Sequence, residues 1–178
     1  MKKTTNIYFL IDCSCKAVNG VHKQSERTVL KSKRALDCLK IPVNVKLHLI
    51  GYNERATFLS LFREYPIAGR PKLKEGLKML KTVVEYQRQN ERNQTRSIFF
   101  LYSSGKIEGS WQQPLQELFQ CPEFANGLRY AILPQPLTDA ELRPFLRFAD
   151  FPDRILPYFS ESRLCSLVQS IFTQQQTC

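Results

Sequence analysis

Residues 7–12 read Ile7-Tyr8-Phe9-Leu10-Ile11-Asp12, five apolar residues ended by a carboxylate. Side chains alternate between the two faces of a strand, so a half-wet strand would carry a polar residue at every second place. A run that is apolar at both parities reads as a strand buried on both faces, the mark of a parallel sheet covered by helices. Residues 97–102, Ser97-Ile98-Phe99-Phe100-Leu101-Tyr102, repeat the signature and predict a second central strand.

Helical and strand patterns alternate around these two runs. Residues 25–40 carry Val29, Leu36 and Leu39 at helical spacing, and Pro42 stops that helix. Residues 43–50 set Val43, Val45, Leu47 and Leu49 against Asn44, Lys46 and His48, a strand with one wetter face. Residues 56–62 fit a short edge strand. Pro71 suits the first position of a helix whose core face is Leu73, Leu77, Leu80 and Val84. Ser110 with Gln113 forms a capping-box pattern ahead of Leu115, Leu118 and Phe119. Residues 128–133 read as a strand ended by Pro134. Thr138 with Glu141 is a second capping-box pattern, before a helix that Pro144 should shorten or kink. A short strand at residues 154–156 and a last helix capped by Ser160, with Leu164, Leu167, Val168 and Ile171, complete the chain. The alternation predicts a single-domain, Rossmann-like, doubly wound α/β sheet over residues 1–172, with a frayed polar tail at 173–178. Ligands of such sheets sit at the carboxyl ends of the strands, where strand order switches. Two loops therefore matter most, residues 12–20 and 102–111.

Composition is that of an ordinary globular chain: 178 residues, 43% hydrophobic and 24% charged. No apolar run approaches the roughly 20 residues of a membrane helix. The run at residues 7–11 is too short for a signal peptide. A cytoplasmic protein that does not engage membranes is the expectation. Six cysteines at 13, 15, 38, 121, 165 and 178 do not form a disulfide framework. Charge is uneven. The net charge is +10, yet residues 1–96 hold 20 basic and 8 acidic residues, whereas residues 97–178 hold 6 and 8. The basic half either faces an acidic partner or is a solvated face. Lys23, Arg27, Lys31 and Arg34 line one predicted helix, and Lys74, Lys78, Lys81 and Arg88 another.

The two loops read Asp12-Cys13-Ser14-Cys15-Lys16 and Tyr102-Ser103-Ser104-Gly105-Lys106, the latter followed by Glu108-Gly109-Ser110-Trp111. With them the chain resembles the von Willebrand factor A (vWA) domain family, and within it the bacterial tellurite-resistance (TerY-like) proteins. The strand ending in Asp-x-Ser resembles the family's opening motif. Gly69 with Leu73-Lys74-Glu75-Gly76-Leu77 is similar to its Gly-Thr-x-Leu-x-x-Ala-Leu helix start. Phe99 through Gly105, with Trp111, matches its strand, Thr-Asp-Gly turn and Trp, and Phe148-Ala149 with Pro152-Asp153-Arg154-Ile155-Leu156 fits its ending. The resemblance implies a mostly parallel sheet with one short antiparallel edge strand. It also implies a protein-interaction module in a bacterial setting such as stress response or phage defence.

The family's metal-ion-dependent adhesion site holds Mg²⁺ through Asp-x-Ser-x-Ser, a Thr and the Asp of the Thr-Asp-Gly turn. Carried over, Asp12 and Ser14 remain. Lys16 stands at the second Ser, Pro71 at the Thr and Ser104 at the second Asp. Mg²⁺ requires hard oxygens in near-octahedral array, so a degenerate site without metal is expected, its ion replaced by the Lys16 ammonium near Asp12. No cofactor is implied. Other chemistry is weaker. Cys13, Cys15 and His22 lack a second ligand pair for zinc. Ser103 and Ser104 lack a nucleophile elbow, and His22 and His48 are the only imidazoles. No phosphate loop is present. A non-enzymatic module is expected, binding another protein through residues 12–21, 67–72 and 102–111. Lys16, Arg70, Lys72 and Lys106 would meet an acidic group of the partner. Trp111 either adds an apolar anchor or packs under its own loop. The alternative is a basic nucleic-acid-binding accessory domain, disfavoured because the basic stripes lack interleaved aromatic residues.

Overall fold

A computed structural model describes residues 4–14, 44–59, 68–90, 96–133, 137–157 and 161–174. The helix expected over residues 25–40 and its basic stripe lie outside them, as do Cys15, Lys16, His22, Pro134 and Ser160. Six strands form one sheet: β1 Thr4–Asp12, β2 Asn44–Tyr52, β3 Ala56–Phe58, β4 Ile98–Tyr102, β5 Leu128–Leu133 and β6 Ile155–Pro157. Their order is β3-β2-β1-β4-β5-β6, parallel throughout except for β3, which runs antiparallel at one edge. The described helices are α1 Leu73–Asn90, α2 Gln112–Phe119, α3 Pro122–Ala125, α4 Asp139–Ala149 and α5 Glu161–Gln174. This is the expected mostly parallel α/β sheet, and strand order reverses between β1 and β4.

The two apolar runs sit where two-faced burial demands. In register, Ile7 lies between Leu47 and Ile98, and Phe9 between Leu49 and Phe100. On one face Tyr8, Leu10, Phe99, Leu101 and Leu133 pack against Leu77, Leu80 and Val84 of α1, Leu118 of α2 and Phe145 and Phe148 of α4. On the other, Ile7, Phe9, Ile11, Phe100 and Ile132 meet Ile171 and Phe172 of α5. Each fully buried side chain of this size contributes about 1.5–3 kcal/mol. Aromatic rings stack across neighbouring strands, with centroids 5.1 Å apart for Phe9–Phe100 and 5.4 Å for Phe100–Tyr130. His48 belongs to the second such ladder. Its ring stacks on Tyr8 at 4.6 Å, and its Nε2 lies 2.9 Å from Asn6 Oδ1. At Gly76 a Cβ would stand 2.8 Å from Leu10 Cδ1 and 3.0 Å from Tyr52 Cβ, so the glycine lets α1 approach β1 and β2 closely.

Several local expectations shift. Pro71 precedes α1 rather than opening it; the helix starts at Leu73. The Ser110–Gln113 capping box does not form. α2 begins at Gln112 with Trp111 as its cap, and the Gln113 amide donates to Glu117 Oε1 instead. The Thr138–Glu141 box is complete, and α4 runs through Pro144 as an eleven-residue helix. Arg154 closes a 3-10 turn, Pro152–Arg154, and β6 follows it. α5 continues to Gln174, two residues past Phe172.

Candidate functional site at the strand-order switch

The carboxyl ends of β1 and β4 lie side by side at the reversal of strand order, and each delivers one side chain there. Asp12, the last residue of β1, is fully buried. Its Oδ1 accepts the Ser14 backbone N–H at 2.9 Å. Its Oδ2 accepts both the Ser104 N–H at 3.0 Å and the Ser104 hydroxyl at 2.6 Å. Three donors thus hold one carboxylate, and they tie the loop after β1 to the loop after β4 across 92 residues of sequence. Beside them, Ser103 Oγ accepts the Gly105 N–H at 3.2 Å, which closes the turn, and Gly105 adopts a left-handed φ of 83°.

The third expected segment joins the same rim. The Cys13 carbonyl accepts from Ala68 at 3.2 Å, and the Pro71 carbonyl accepts from Glu108 at 3.0 Å. Pro71 is buried, and Lys72 is half-buried at the start of α1. Arg70 is exposed and its guanidinium lies 3.7 Å from Glu108, an acid that the sequence reading did not pair with it. Lys106 is exposed on the β4–α2 loop. Trp111 is half-buried and packs against the core cluster while capping α2. Asp12, Ser14, Arg70, Pro71, Lys72, Ser104, Lys106 and Trp111 therefore converge at one end of the sheet, while Lys16 falls outside the described residues.

The donor set does not suit a divalent ion. Asp12 is the one acid of the expected ligand positions, and its oxygens already accept three hydrogen bonds. Pro71 has no side-chain oxygen. Ser104 spends its hydroxyl proton on Asp12. The buried Ser14 hydroxyl is the single unpartnered oxygen of the set. No group of three His, Cys, Asp or Glu residues fit to hold a metal occurs among the described residues. The Ser at 104 has a physical consequence. A second carboxylate at hydrogen-bond distance from Oδ2 would repel Asp12 unless a cation lay between them. A hydroxyl there bonds to Asp12 directly and removes that requirement.

Of the zinc candidates only Cys13 lies within the described residues, and among those residues no imidazole stands beside Ser103 or Ser104. Cys13 is buried with its Sγ 3.5 Å from the Ile11 carbonyl. Burial, with Asp12 nearby, pushes its thiol up to about 12. His48 sits opposite Tyr8, four residues before the Asp12–Tyr52 pair, roughly 13 Å from the strand end at about 3.3 Å per residue. The Lys74–Arg88 stripe is partly neutralised, since Lys81 pairs with Glu117 at 3.2 Å and Lys74 lies 3.7 Å from Glu75.

Sequence reasoning missed Arg129. The side chain is 2% exposed in the apolar strand β5. Its Nε donates to the Phe148 carbonyl at 2.9 Å, its guanidinium also bonds the carbonyls of Phe124, Ala125 and Gly127, and it pairs with Asp150. These carbonyls close α3 and α4, where a cation is favoured by the helix dipole. Desolvation, then Arg154 and Arg96, lowers its pKa to about 10, and it remains charged at neutral pH. Only the isolated charge in an apolar strand hinted at this role.

No protein-family model matches the sequence, and no curated protein matches it. Solved structures do. Two structures of proximal thread matrix protein 1 from the mussel byssus superpose with a TM-score of 0.66 at 16% and 15% identity, the second having a zinc-occupied metal-ion-dependent adhesion site. A third superposes with a TM-score of 0.63 at 15% identity. Each match covers 96% of this chain but only 46–48% of the mussel protein, so the chain spans about half its length. No described helix is long and apolar enough to cross a membrane. The chain has a von Willebrand A-like α/β fold.

Proposed function

We propose that the chain is a non-enzymatic protein-interaction module whose degenerate adhesion site works without metal. The observation that carries this reading is the internal hydrogen bonding of Asp12 by Ser14 and Ser104, at the place where the fold puts its ligand site, beneath a rim that exposes Arg70 and Lys106. In place of an ion bridging to an acidic partner residue, the rim cations meet that acid directly by charge-assisted hydrogen bonds. The Arg70–Glu108 contact does not block this. The two side chains are 69% and 44% exposed, and such pairs are worth about 0–1 kcal/mol, little enough for an incoming carboxylate to displace Glu108. A bacterial stress-response or phage-defence setting is the context that the tellurite-resistance likeness implies for such a module.

The test is charge reversal at the rim. The double variant R70E/K106E should weaken binding to the native partner at least tenfold with an unchanged melting temperature, and wild-type association should be faster at low salt. If that variant binds unchanged while reversal of Lys74, Lys78 and Lys81 abolishes binding, and DNA competes for the same surface, the nucleic-acid reading replaces this one.

A further inference from the structure

Beside the rim a cleft of about 500 Å³ opens between the β4–α2 loop and the first turns of α4. That volume is within the range of about 300–1,000 Å³ found for ligand-sized sites. Its two walls come from different crossovers of the sheet. Trp111 and Lys106 stand on one, Arg143 and Pro144 on the other. Two left-handed glycines shape the loop wall, Gly105 and Gly109, with φ of 83° and 82°. A Cβ at Gly109 would meet nothing within 4 Å, so its backbone conformation, and not crowding, calls for glycine there.

The charges of the cleft are unequally committed. Glu108 faces Arg70. Glu141 Oε2 accepts the Thr138 N–H at 2.9 Å and the Thr138 hydroxyl at 2.8 Å. Both acids thus have structural partners. Lys106 and Arg143 are exposed and take part in none of the ion pairs among the described residues. Pro144 adds an acceptor. It has no N–H to return to the carbonyl four residues earlier, that of Ala140, which also lines the cleft. The cleft therefore offers two cations outside any described ion pair, of which Lys106 also acts on the Glu141 carboxyl through its charge, together with an indole flank and a carbonyl lacking its usual helical donor.

We propose that this cleft takes an acidic peptide segment of the partner protein, one carboxylate held by Lys106 and Arg143, an adjacent apolar side chain against Trp111 and a backbone N–H donated to Ala140. The inference rests on the interaction-module reading and specifies what that module grips. A peptide fits better than a nucleic acid. Glu108 and Glu141 flank the two cations and would repel a continuous phosphate backbone, whereas a single carboxylate can sit between Lys106 and Arg143.

Trp111 is the chain's one tryptophan, so tryptophan fluorescence reports on this flank of the cleft and the rim it adjoins. The probes are blocked hexapeptides carrying one Glu or Asp beside Leu or Phe, their Gln or Asn counterparts, and a single-stranded oligonucleotide. Acidic peptides should shift Trp111 emission saturably. The amide counterparts should bind about tenfold or more weakly. R143E should abolish the shift with an unchanged melt, while R143K retains part of it. Absence of any saturable shift with the acidic peptides overturns the proposal, as does a shift that R143E leaves intact. A response to the oligonucleotide alone, lost in R143E, overturns it in favour of a nucleic-acid site. If R70E/K106E still weakens the native partner while R143E does not, the cleft proposal fails and the rim reading stands.

Discussion

Replacing Asp12 by Asn separates a carboxylate kept for hydrogen bonding from one kept for a cation. Asp12 accepts two N–H groups and one hydroxyl from Ser14 and Ser104, all in a buried or partly buried setting. Hydrogen bonds to a charged group are worth about 1.5–3 kcal/mol each, and a buried donor left unpaired costs about 1–3 kcal/mol. Asparagine keeps one acceptor oxygen and turns an NH₂ toward the remaining donors, so D12N should lose about 2–4 kcal/mol. At about 2–4 °C per kcal/mol for a chain of this size, the melting temperature should fall by roughly 5–15 °C. S104A removes only the 2.6 Å hydroxyl contact. The double mutant D12N/S104A should then be less destabilised than the sum of its parts by about 1 kcal/mol or more, outside the roughly 0.5 kcal/mol within which independent sites add. Urea unfolding of the four proteins, in buffer treated with a chelator, reads all three quantities. If D12N melts higher than wild type, as relief of an uncompensated charge would cause, or if the two substitutions simply add, Asp12 is not held by Ser104 and the reasoning from its hydrogen bonds is wrong.

Two further outcomes follow from other buried groups. R129A should cost about 3–5 kcal/mol, because it leaves the carbonyls that end α3 and α4 without their donor and a cavity in the core. R129K should restore little of that, since a point charge cannot serve so many acceptors at once; thermal melts of both variants check this. Cys13, with its thiol pushed up to about 12, should resist alkylation in the native protein at pH 8 and react only after unfolding, as peptide mapping of iodoacetamide-treated samples will show.

What could be read from the sequence depended on the range of the forces involved. The runs at residues 7–11 and 98–101 announced central strands because burial on both faces removes every polar option from a short window. The Thr138–Glu141 box was equally legible, since its donors and acceptors lie three residues apart. Ser110 and Gln113 carry the same local signature and fail, because the cap falls one residue later, on the half-buried Trp111 that packs on the core, and the helix starts at Gln112. Ser104 was legible only as a missing ligand. That its hydroxyl occupies Asp12 depends on two strand ends 92 residues apart being neighbours in the sheet. Arg129 was hidden for a similar reason: its acceptors belong to two helices and a turn, and no spacing within β5 encodes them. Glu108 beside Arg70, and Arg143 across the cleft from Lys106, are likewise products of tertiary approach.

The metal-free reading of Asp12 is tested most directly by calorimetric titration of the chain with millimolar Mg²⁺ and Mn²⁺ and with micromolar Zn²⁺, run in parallel on D12N. The expected result is no saturable heat that depends on Asp12. Saturable binding of any of the three ions in wild type, lost in D12N, would contradict it and return the site to metal-dependent adhesion.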